Sequence, residues 1–302
     1  MSHSNCALVL EGGGYRGVFT AGVLDVFMEH GVNKFSDIWG TSAGALNGAN
    51  FKSGQLGRQM RLTLAFRDDS RMMSFYSFVT KGSIMDKEFL YDTVQNQLDP
   101  FDNEAFNENP TRLWACATSV MFGTPVYNLV DELPRDLPAI IASASLPVFS
   151  ESVQYKSELL IDGGTADSVP VEVALGQMDA QIPDDPSYTP ANKAIVVLTQ
   201  PRDYVKEPKS PASMKAYQAK YGDYPYFVEG VETRYLRYNA QRQRIFDLER
   251  QGKVIVIAPE KSLDLEVTEE NGEKLLAAYL QGRNAALACL DKIKDFVVED
   301  AQ

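Results

Sequence analysis

Twice in the first fifty residues a short apolar run ends in glycine and passes directly into a helical pattern, and no other feature restricts the chain so strongly. The first run is CALVL, residues 6–10. It is followed by Gly12, Gly13 and Gly14, then by Val18, Ala21, Gly22, Leu24 and Phe27 at three- and four-residue steps, with Gly31 as the stop. Such a short run with Leu-Val-Leu at its centre suits a strand buried on both faces. The second run, FSDIWG at 35–40, leads through Gly40-Thr41-Ser42-Ala43-Gly44 into ALNGANFKSG at 45–54. Strand, helix, strand, helix with links this short predicts a parallel sheet wound by right-handed crossovers.

The alternation continues along the chain. An amphipathic helix is expected over 86–98 with Asp86 as its cap, and an apolar helix over 137–145, stopped before Pro147. Strands are expected at 113–122, 157–162, 193–200 and 253–260, the last two carrying the continuous Ile/Val runs of buried parallel strands. The Pro-, Asp- and Ser-rich stretch 177–193 reads as a surface loop, and 273–296 as a C-terminal helix interrupted near Gly282. Because strand runs are spread over the whole length, the pattern favours one extended α/β domain over two.

Composition narrows the function classes. Asp plus Glu outnumber Lys plus Arg by 41 to 29, a formal net charge of −12, which argues against nucleic acid and against general attraction to anionic membranes. No stretch is apolar for long enough to span a bilayer, and residues 1–11 lack the basic start of a secretory signal. Cys6, Cys116 and Cys289 are far apart, odd in number and without metal-ligand spacing. The expectation is a reduced, cytoplasmic protein that uses no metal.

Three glycine-bearing loops each follow a strand: Glu11–Gly17, Gly40–Gly44 and Asp162-Gly163-Gly164. If all these strands run parallel, their carboxyl ends meet at one edge, where open α/β sheets place ligands. Gly40-x-Ser42-x-Gly44 between strand and helix is the pattern of a nucleophile elbow, whose turn needs small residues on either side of the serine. The N–H groups of Gly12, Gly13 and Gly14 can converge on an anion, with Arg16 as electrostatic support or in a surface salt bridge. Gly12-x-Gly14-x-x-Gly17 also satisfies a dinucleotide fingerprint. That fingerprint expects an acidic residue at the end of the second strand, where this chain has Gly40-Thr41-Ser42.

A serine nucleophile needs a base, and histidine is the usual one. This chain has only His3, near the amino terminus, and His30, at the far end of the first helix. The base must then be a carboxylate, a lysine or the chain terminus. Asp162-Gly163 follows a strand directly and is the best candidate, with a type I′ hairpin turn as the alternative reading of the same dipeptide. Asp167, five residues on, is expected to cap the next helix.

A Gly-rich loop, then G-x-S-x-G, then D-G-G, in this order and without a usable histidine, resembles the patatin-like phospholipase family. The matching pieces are LVLEGGGYRGVFTAGVLDVF at 8–27, GTSAGALNG at 40–48 and LLIDGGTADSVPV at 159–171. Segments 116–128 and 142–150 also look like the family's. The resemblance implies a three-layer α/β/α sandwich with a mainly parallel central sheet, whose core spans 5–175 and which 176–302 complete as a C-terminal extension. It implies acyl-ester hydrolysis with Ser42 as nucleophile, Asp162 as base and Gly12, Gly13 and Gly14 as oxyanion hole, with no cofactor. The partner is a lipid or other acyl ester, and the resemblance leaves room for transient contact with a membrane surface. The competing readings are a dinucleotide- or phosphate-binding protein and a catalytically silent binding relative.

Two further stretches invite attention. MMSFYSFV at 72–79 reads as core packing or as an acyl-chain lid. The Tyr- and Arg-rich segment 217–244 reads as a solvated helix face packed by its tyrosines, with lipid headgroups or a partner as the alternative.

Overall fold

The computed structural model describes residues 5–72, 86–177, 183, 185–266 and 269–298. A single sheet of eight strands runs through them. Five strands are parallel: β1 (Cys6–Leu10), β2 (Asp37–Thr41), β3 (Arg112–Ser119), β7 (Lys193–Val197) and β8 (Val254–Ile257), in the order β3-β2-β1-β7-β8. Three antiparallel strands finish one side: β4 (Pro125–Val130), β5 (Val153–Tyr155) and β6 (Glu158–Asp162). The two strands beyond residue 175 therefore extend the same sheet rather than starting another.

Each face of the sheet is covered by helices, so β1, β2, β7 and β8 are buried at every position. Leu8, Leu10, Ile38, Leu113, Ile195 and Ile257 point to one side, under helices α1 (Gly17–Glu29) and α2 (Ala43–Lys52) and the late helix Gly272–Ala288. On the other side Val9, Trp39, Trp114 and Val196 pack beneath Val171–Ala174 and Arg234–Arg250. The result is the three-layer sandwich with a mainly parallel sheet. On its second face the Trp39 and Trp114 rings stack at 4.9 Å, with Tyr127 and Tyr188 edge-on to Trp39.

The predicted break at Gly282 is not there. The helix runs unbroken over Gly272–Ala288, and the chain turns at Cys289 before a last helix, Leu290–Val298. Gly282 serves a close crossing instead: a Cβ on it would strike the backbone oxygen of Phe19 in α1, and one on Gly22 would strike that of Tyr279. A glycine inside a helix is tolerated where a second backbone must approach this closely.

Segment 86–98 is helical as expected, with π-type geometry over Phe89–Leu98, and Asp86 accepts the Phe89 N–H at 3.2 Å. The 217–244 stretch divides among three helices, Pro211–Tyr221, Pro225–Glu232 and Arg234–Arg250. Residues 73–79 of the aromatic stretch, and 178–182 and 184 of the Pro-rich loop, lie outside the described residues.

Candidate active site

β2 ends at Thr41, and α2 begins at Ala43, so the whole turn between strand and helix is Ser42. Its backbone has φ 55° and ψ −122°, a left-handed conformation that costs a non-glycine residue of order ~1–3 kcal/mol and recurs at functional sites. The flanking glycines make the turn possible. A Cβ on Gly40 would lie 2.6 Å from the Ala45 backbone, and one on Gly44 would collide with the carbonyl oxygen of Leu10 in β1. The Ser42 amide donates to Ser143 Oγ at 2.9 Å, and the Ser143 hydroxyl donates to the Cys116 carbonyl at 2.6 Å, so the elbow is tied to β3. Ser143 carries no pattern that would single it out in the sequence.

Asp162 reaches Ser42 by a route that differs from the expected one. β6 does not run parallel to the other strands; it pairs antiparallel with β3, Ala117 opposite Asp162 and Ser119 opposite Leu160. β4 occupies one side of β3 from Leu113 to Thr118, so β2 and β6 share the other side. There they meet head to head: Thr41 stands opposite Cys116 and Asp162 opposite the next residue, Ala117. One register step along β3 thus brings the serine and the carboxylate together. The hairpin-turn alternative for Asp162-Gly163 is not what forms; Gly163–Thr165 is a 3₁₀ turn.

The Asp162 side chain is 5% exposed. Its Oδ1 accepts the Gly164 N–H at 2.8 Å, while Oδ2 is buried with no partner at full hydrogen-bond geometry. Burial pushes the carboxyl pKa up, and the neighbouring Ser42 hydroxyl, the Gly164 amide and the Arg234 charge pull it down by less. Gly163 is confined by β3, since a Cβ on it would strike the Cys116 oxygen. Asp167 is not the cap of a helix; Pro170 occupies the N-cap of Val171–Ala174. Instead its carboxylate accepts from Tyr127 Oη and Gln241 Nε2, both at 2.8 Å, and from the Val169 N–H at 3.1 Å.

The Gly-rich loop lies against the elbow, with a Cβ on Gly12 falling 3.0 Å from the Thr41 oxygen. The Gly12 N–H donates to the Ser168 carbonyl at 3.3 Å. Gly14 has φ +55°, the conformation glycine adopts most readily, and starts the short turn that carries Arg16 into α1. Arg16 is partly buried and its Nε has no hydrogen-bond partner. Glu11, buried just before the glycines, accepts from the Thr199 N–H and the Tyr238 hydroxyl, which ties β1 to the chain after β7 and to helix Arg234–Arg250. Arg234, within the Tyr- and Arg-rich segment read as a solvated helix face, instead turns toward the site, where its Nη2 donates to Ser168 Oγ at 3.2 Å.

Beside Ser42 opens a cavity of about 260 Å³, lined mainly by apolar side chains that include Val18, Leu46, Leu62, Phe66, Leu137 and Ile140. Met72, the first described residue of the aromatic stretch, also lines it. His30 follows the last turn of α1, whose 13 residues span about 20 Å at 1.5 Å per residue, so it sits at the far end of the helix from the site. Among the described residues no three His, Cys, Asp or Glu side chains converge as a metal site, and no helix is long and apolar enough to cross a membrane.

Fold and geometry together define an α/β sandwich with a serine at a strand–helix elbow, a buried carboxylate beside it and an apolar cavity in front. The chain belongs to the patatin-like phospholipase family, whose model matches residues 8–175. A second model, a domain of unknown function (DUF6363), matches 224–298. A curated relative, the uncharacterized protein YjjU of Escherichia coli (strain K12), is 33% identical over 193 residues, 61% of this chain and 54% of its own length. The chain thus matches about half the length of that relative. Among solved structures, the crystal structure of VipD from Legionella pneumophila aligns over 96% of this chain and 67% of its own, at 12% identity and a TM-score of 0.45.

Proposed function

We propose that this protein hydrolyses carboxylic esters of lipids through a Ser42–Asp162 dyad and an acyl-enzyme. The observation that carries the reading is the pairing of a serine in a left-handed elbow with a buried carboxylate that has one oxygen unfilled. Asp162 Oδ2 accepts the Ser42 proton as Oγ attacks the ester carbonyl. The tetrahedral oxyanion is met by N–H groups of the Gly-rich loop. Gly12 already donates to Ser168, so Gly13 and Gly14 are the donors we assign, helped by the positive end of α2. A strong donor of this kind is worth about 2.7–4 kcal/mol of transition-state stabilisation. The proton on Asp162 passes to the departing alcohol, and the acyl group stays on Ser42 with its chain in the apolar cavity. Water then gives a proton to Asp162 and attacks the acyl carbonyl; as the acid leaves, Asp162 returns that proton to Ser42 Oγ, and both groups are back in their starting states. The raised Asp162 pKa suits this role, since an ordinary carboxylate is too weak a base near neutrality.

Transient contact with a lipid surface fits Met121 and Phe122, both more than half exposed at the turn after β3, the end of the sheet where Ser42 lies. The test uses a fluorophosphonate probe and a short-chain nitrophenyl ester. Wild type should be labelled and turn over the ester, and Ser42→Ala should do neither while remaining folded. More than about a tenth of wild-type turnover in Ser42→Ala overturns the assignment, because loss of a nucleophile costs orders of magnitude.

A further inference from the structure

A second cavity, of about 370 Å³, lies behind residues 164–168, the segment that follows Asp162. It shares no lining residue with the apolar cavity beside Ser42. The wall facing that segment is helix Arg234–Arg250, from which Arg234, Arg237, Gln241 and Arg244 line the cavity at three- and four-residue steps. Most of these groups are occupied. Arg244 pairs with Glu172, the Gln241 amide donates to Asp167, and Arg237 donates to the Thr165 and Gly230 carbonyls. Arg234 is different: among the described residues it makes one hydrogen bond, from Nη2 to Ser168 Oγ, and no ion pair. Its Nε is buried without an acceptor, and Arg237 lies close enough for the two charges to repel. A partly buried guanidinium with most of its five donors unfilled is unfavourable, and an oxyanion bound across its fork removes that cost.

The wall formed by 164–168 is bonded to the site at three points. The Gly164 N–H donates to Asp162 Oδ1 at 2.8 Å, the Asp167 carbonyl accepts from the Thr41 hydroxyl at 3.0 Å, and the Ser168 carbonyl accepts the Gly12 N–H at 3.3 Å. Base, elbow and Gly-rich loop therefore all rest on one thin segment whose other side is the cavity. Arg234 also acts on the base directly, since its charge pulls the Asp162 pKa down against burial. The other titratable groups near Asp162 are the Cys116 thiol on β3 and the Tyr217 hydroxyl on helix Pro211–Tyr221. Burial holds both neutral, so Arg234 is the charge that a ligand in the cavity can alter.

We propose that this second cavity is an effector site: it binds a small soluble molecule, separate from the ester, through one oxyanion group on Arg234, and the bound anion alters the dyad through that arginine. The body of the ligand has about 10 Å of helix face to lie along, from Arg234 to Gln241, at 1.5 Å per residue. Tyr127 and Tyr238 also line the cavity, so an aromatic acid suits it, with a carboxylate or a phosphate as its charged group. Pairing Arg234 with an anion weakens its pull on Asp162, which then holds its proton to higher pH. All the arginines involved lie beyond residue 175, outside the stretch that the family model matches. The coupling to the dyad rests on the hydrolase reading; the binding does not.

The experiment compares wild type with Ala240→Phe, which fills the cavity from an exposed position on its rim, and with Arg234→Gln. Benzoate and phenyl phosphate are the probes, with sodium chloride at equal ionic strength as the control, in thermal melts and in pH profiles of p-nitrophenyl butyrate hydrolysis. At least one probe should raise the wild-type Tm by about 2 °C or more beyond the chloride control, and both variants should lose that rise. The stronger of the two probes assigns the oxyanion as carboxylate or phosphate. In saturating probe the acid limb of wild-type kcat/KM should move up by about 0.5 pH unit or more, with KM at the plateau unchanged. Ala240→Phe should keep the basal turnover and the unliganded limb whether or not the probe is present. Arg234→Gln should show a raised limb from the start and no response. If neither probe raises the Tm beyond chloride, or if a probe acts by raising KM and does so equally in Ala240→Phe, the site is wrong. A Tm rise confined to wild type with an unmoved limb overturns the coupling to Asp162. The same Tm pattern in a protein that turns over no ester supports the site and overturns the hydrolase reading.

Discussion

Asp162 and Asp167 lie five residues apart, both carboxylates are buried, and burial raises the pKa of both, yet their surroundings are built to opposite ends. Asp167 has both oxygens filled, by Tyr127, Gln241 and the Val169 amide, and its backbone oxygen accepts from the Thr41 hydroxyl. It locks β4, helix Arg234–Arg250 and the end of β2 together. Asp162 has one oxygen held by the Gly164 N–H and the other without a partner at full hydrogen-bond geometry, with the Ser42 hydroxyl as a neighbour of the carboxyl. A satisfied buried carboxylate is structure; one left with an empty acceptor is poised to take a proton.

The largest effect should come from the open member of the pair. Asp162→Asn keeps the acceptor for Gly164 but cannot take the Ser42 proton. Its kcat/KM on a nitrophenyl ester should fall by about 10³-fold or more, as far as that of Ser42→Ala, and the double variant should be no worse than either single one. Stability should move the other way. Asp162 binds its proton more tightly in the folded chain than in the unfolded one. Its contribution is therefore greatest below the ordinary carboxylate pKa and is lost as pH rises through the raised folded value. Asp162→Asn removes that loss, so at pH 7 it should melt no lower than wild type. A variant that is inactive because it melts well below wild type would erase the distinction between the two aspartates.

Gly13→Ala tests what the open oxygen is paired with across the serine. A Cβ there would lie 2.7 Å from Thr199 Oγ1, so the loop must shift and its N–H donors with it. Turnover should drop by about tenfold or more, up to the ~10²–10³ of a lost oxyanion donor, in a protein that still folds. A raised Tm with dinucleotides, in a chain that turns over no ester, would return the loop to its nucleotide reading.

Asp167→Ala is the counterpart on the satisfied side. It strands the Tyr127 hydroxyl, the Gln241 amide and the Val169 N–H, at about 1–3 kcal/mol for each buried donor left unpaired. Urea unfolding should show a loss of about 3 kcal/mol or more, with turnover by the remaining folded protein of wild-type order. Loss of turnover without loss of stability would make Asp167 part of the chemistry.

Much of this contrast could be read from the chain, and the unread part has a definite physical origin. The apolar runs and glycine punctuation located Ser42, Asp162 and the Gly-rich loop, because strand burial and tight turns are local demands on residue type. Strand direction is not local. The run at 158–162 is equally apolar whether it enters the sheet parallel or antiparallel, and only its register against Ala117 and Ser119 shows that it meets β2 head on. Gly282 looked like a helix stop because its reason for being glycine, the Phe19 carbonyl, lies far away in the chain. Ser143, the contact of Arg234 with Ser168 and the role of Asp167 were invisible for the same cause: each acts through a partner that only the fold brings near.

A smaller effect should appear in the pH profile. The acid limb of kcat/KM should report Asp162 losing its proton, and because burial raises that pKa the limb should lie above the usual carboxylate value of about 3.9. In Asp167→Ala, where the base is untouched, the limb should stay near its wild-type position. A limb that followed Asp167 instead would exchange the roles of the two aspartates.

The smallest effect expected is none. His30 is the C-cap of α1, with its backbone N–H on Met28 and Val26, and α1 separates it from Ser42 by about 20 Å at 1.5 Å per residue. No rotation of the side chain spans that distance. His30→Gln should therefore keep kcat/KM, the position of the acid limb and the fluorophosphonate labelling rate at wild-type values. The same substitution in an Asp162→Asn background should restore nothing and remove nothing. If His30→Gln lost activity while Asp162→Asn retained it, the proton would be leaving Ser42 by another path. The unfilled oxygen of Asp162 would then be a packing defect, and the contrast between the two aspartates would carry no chemistry.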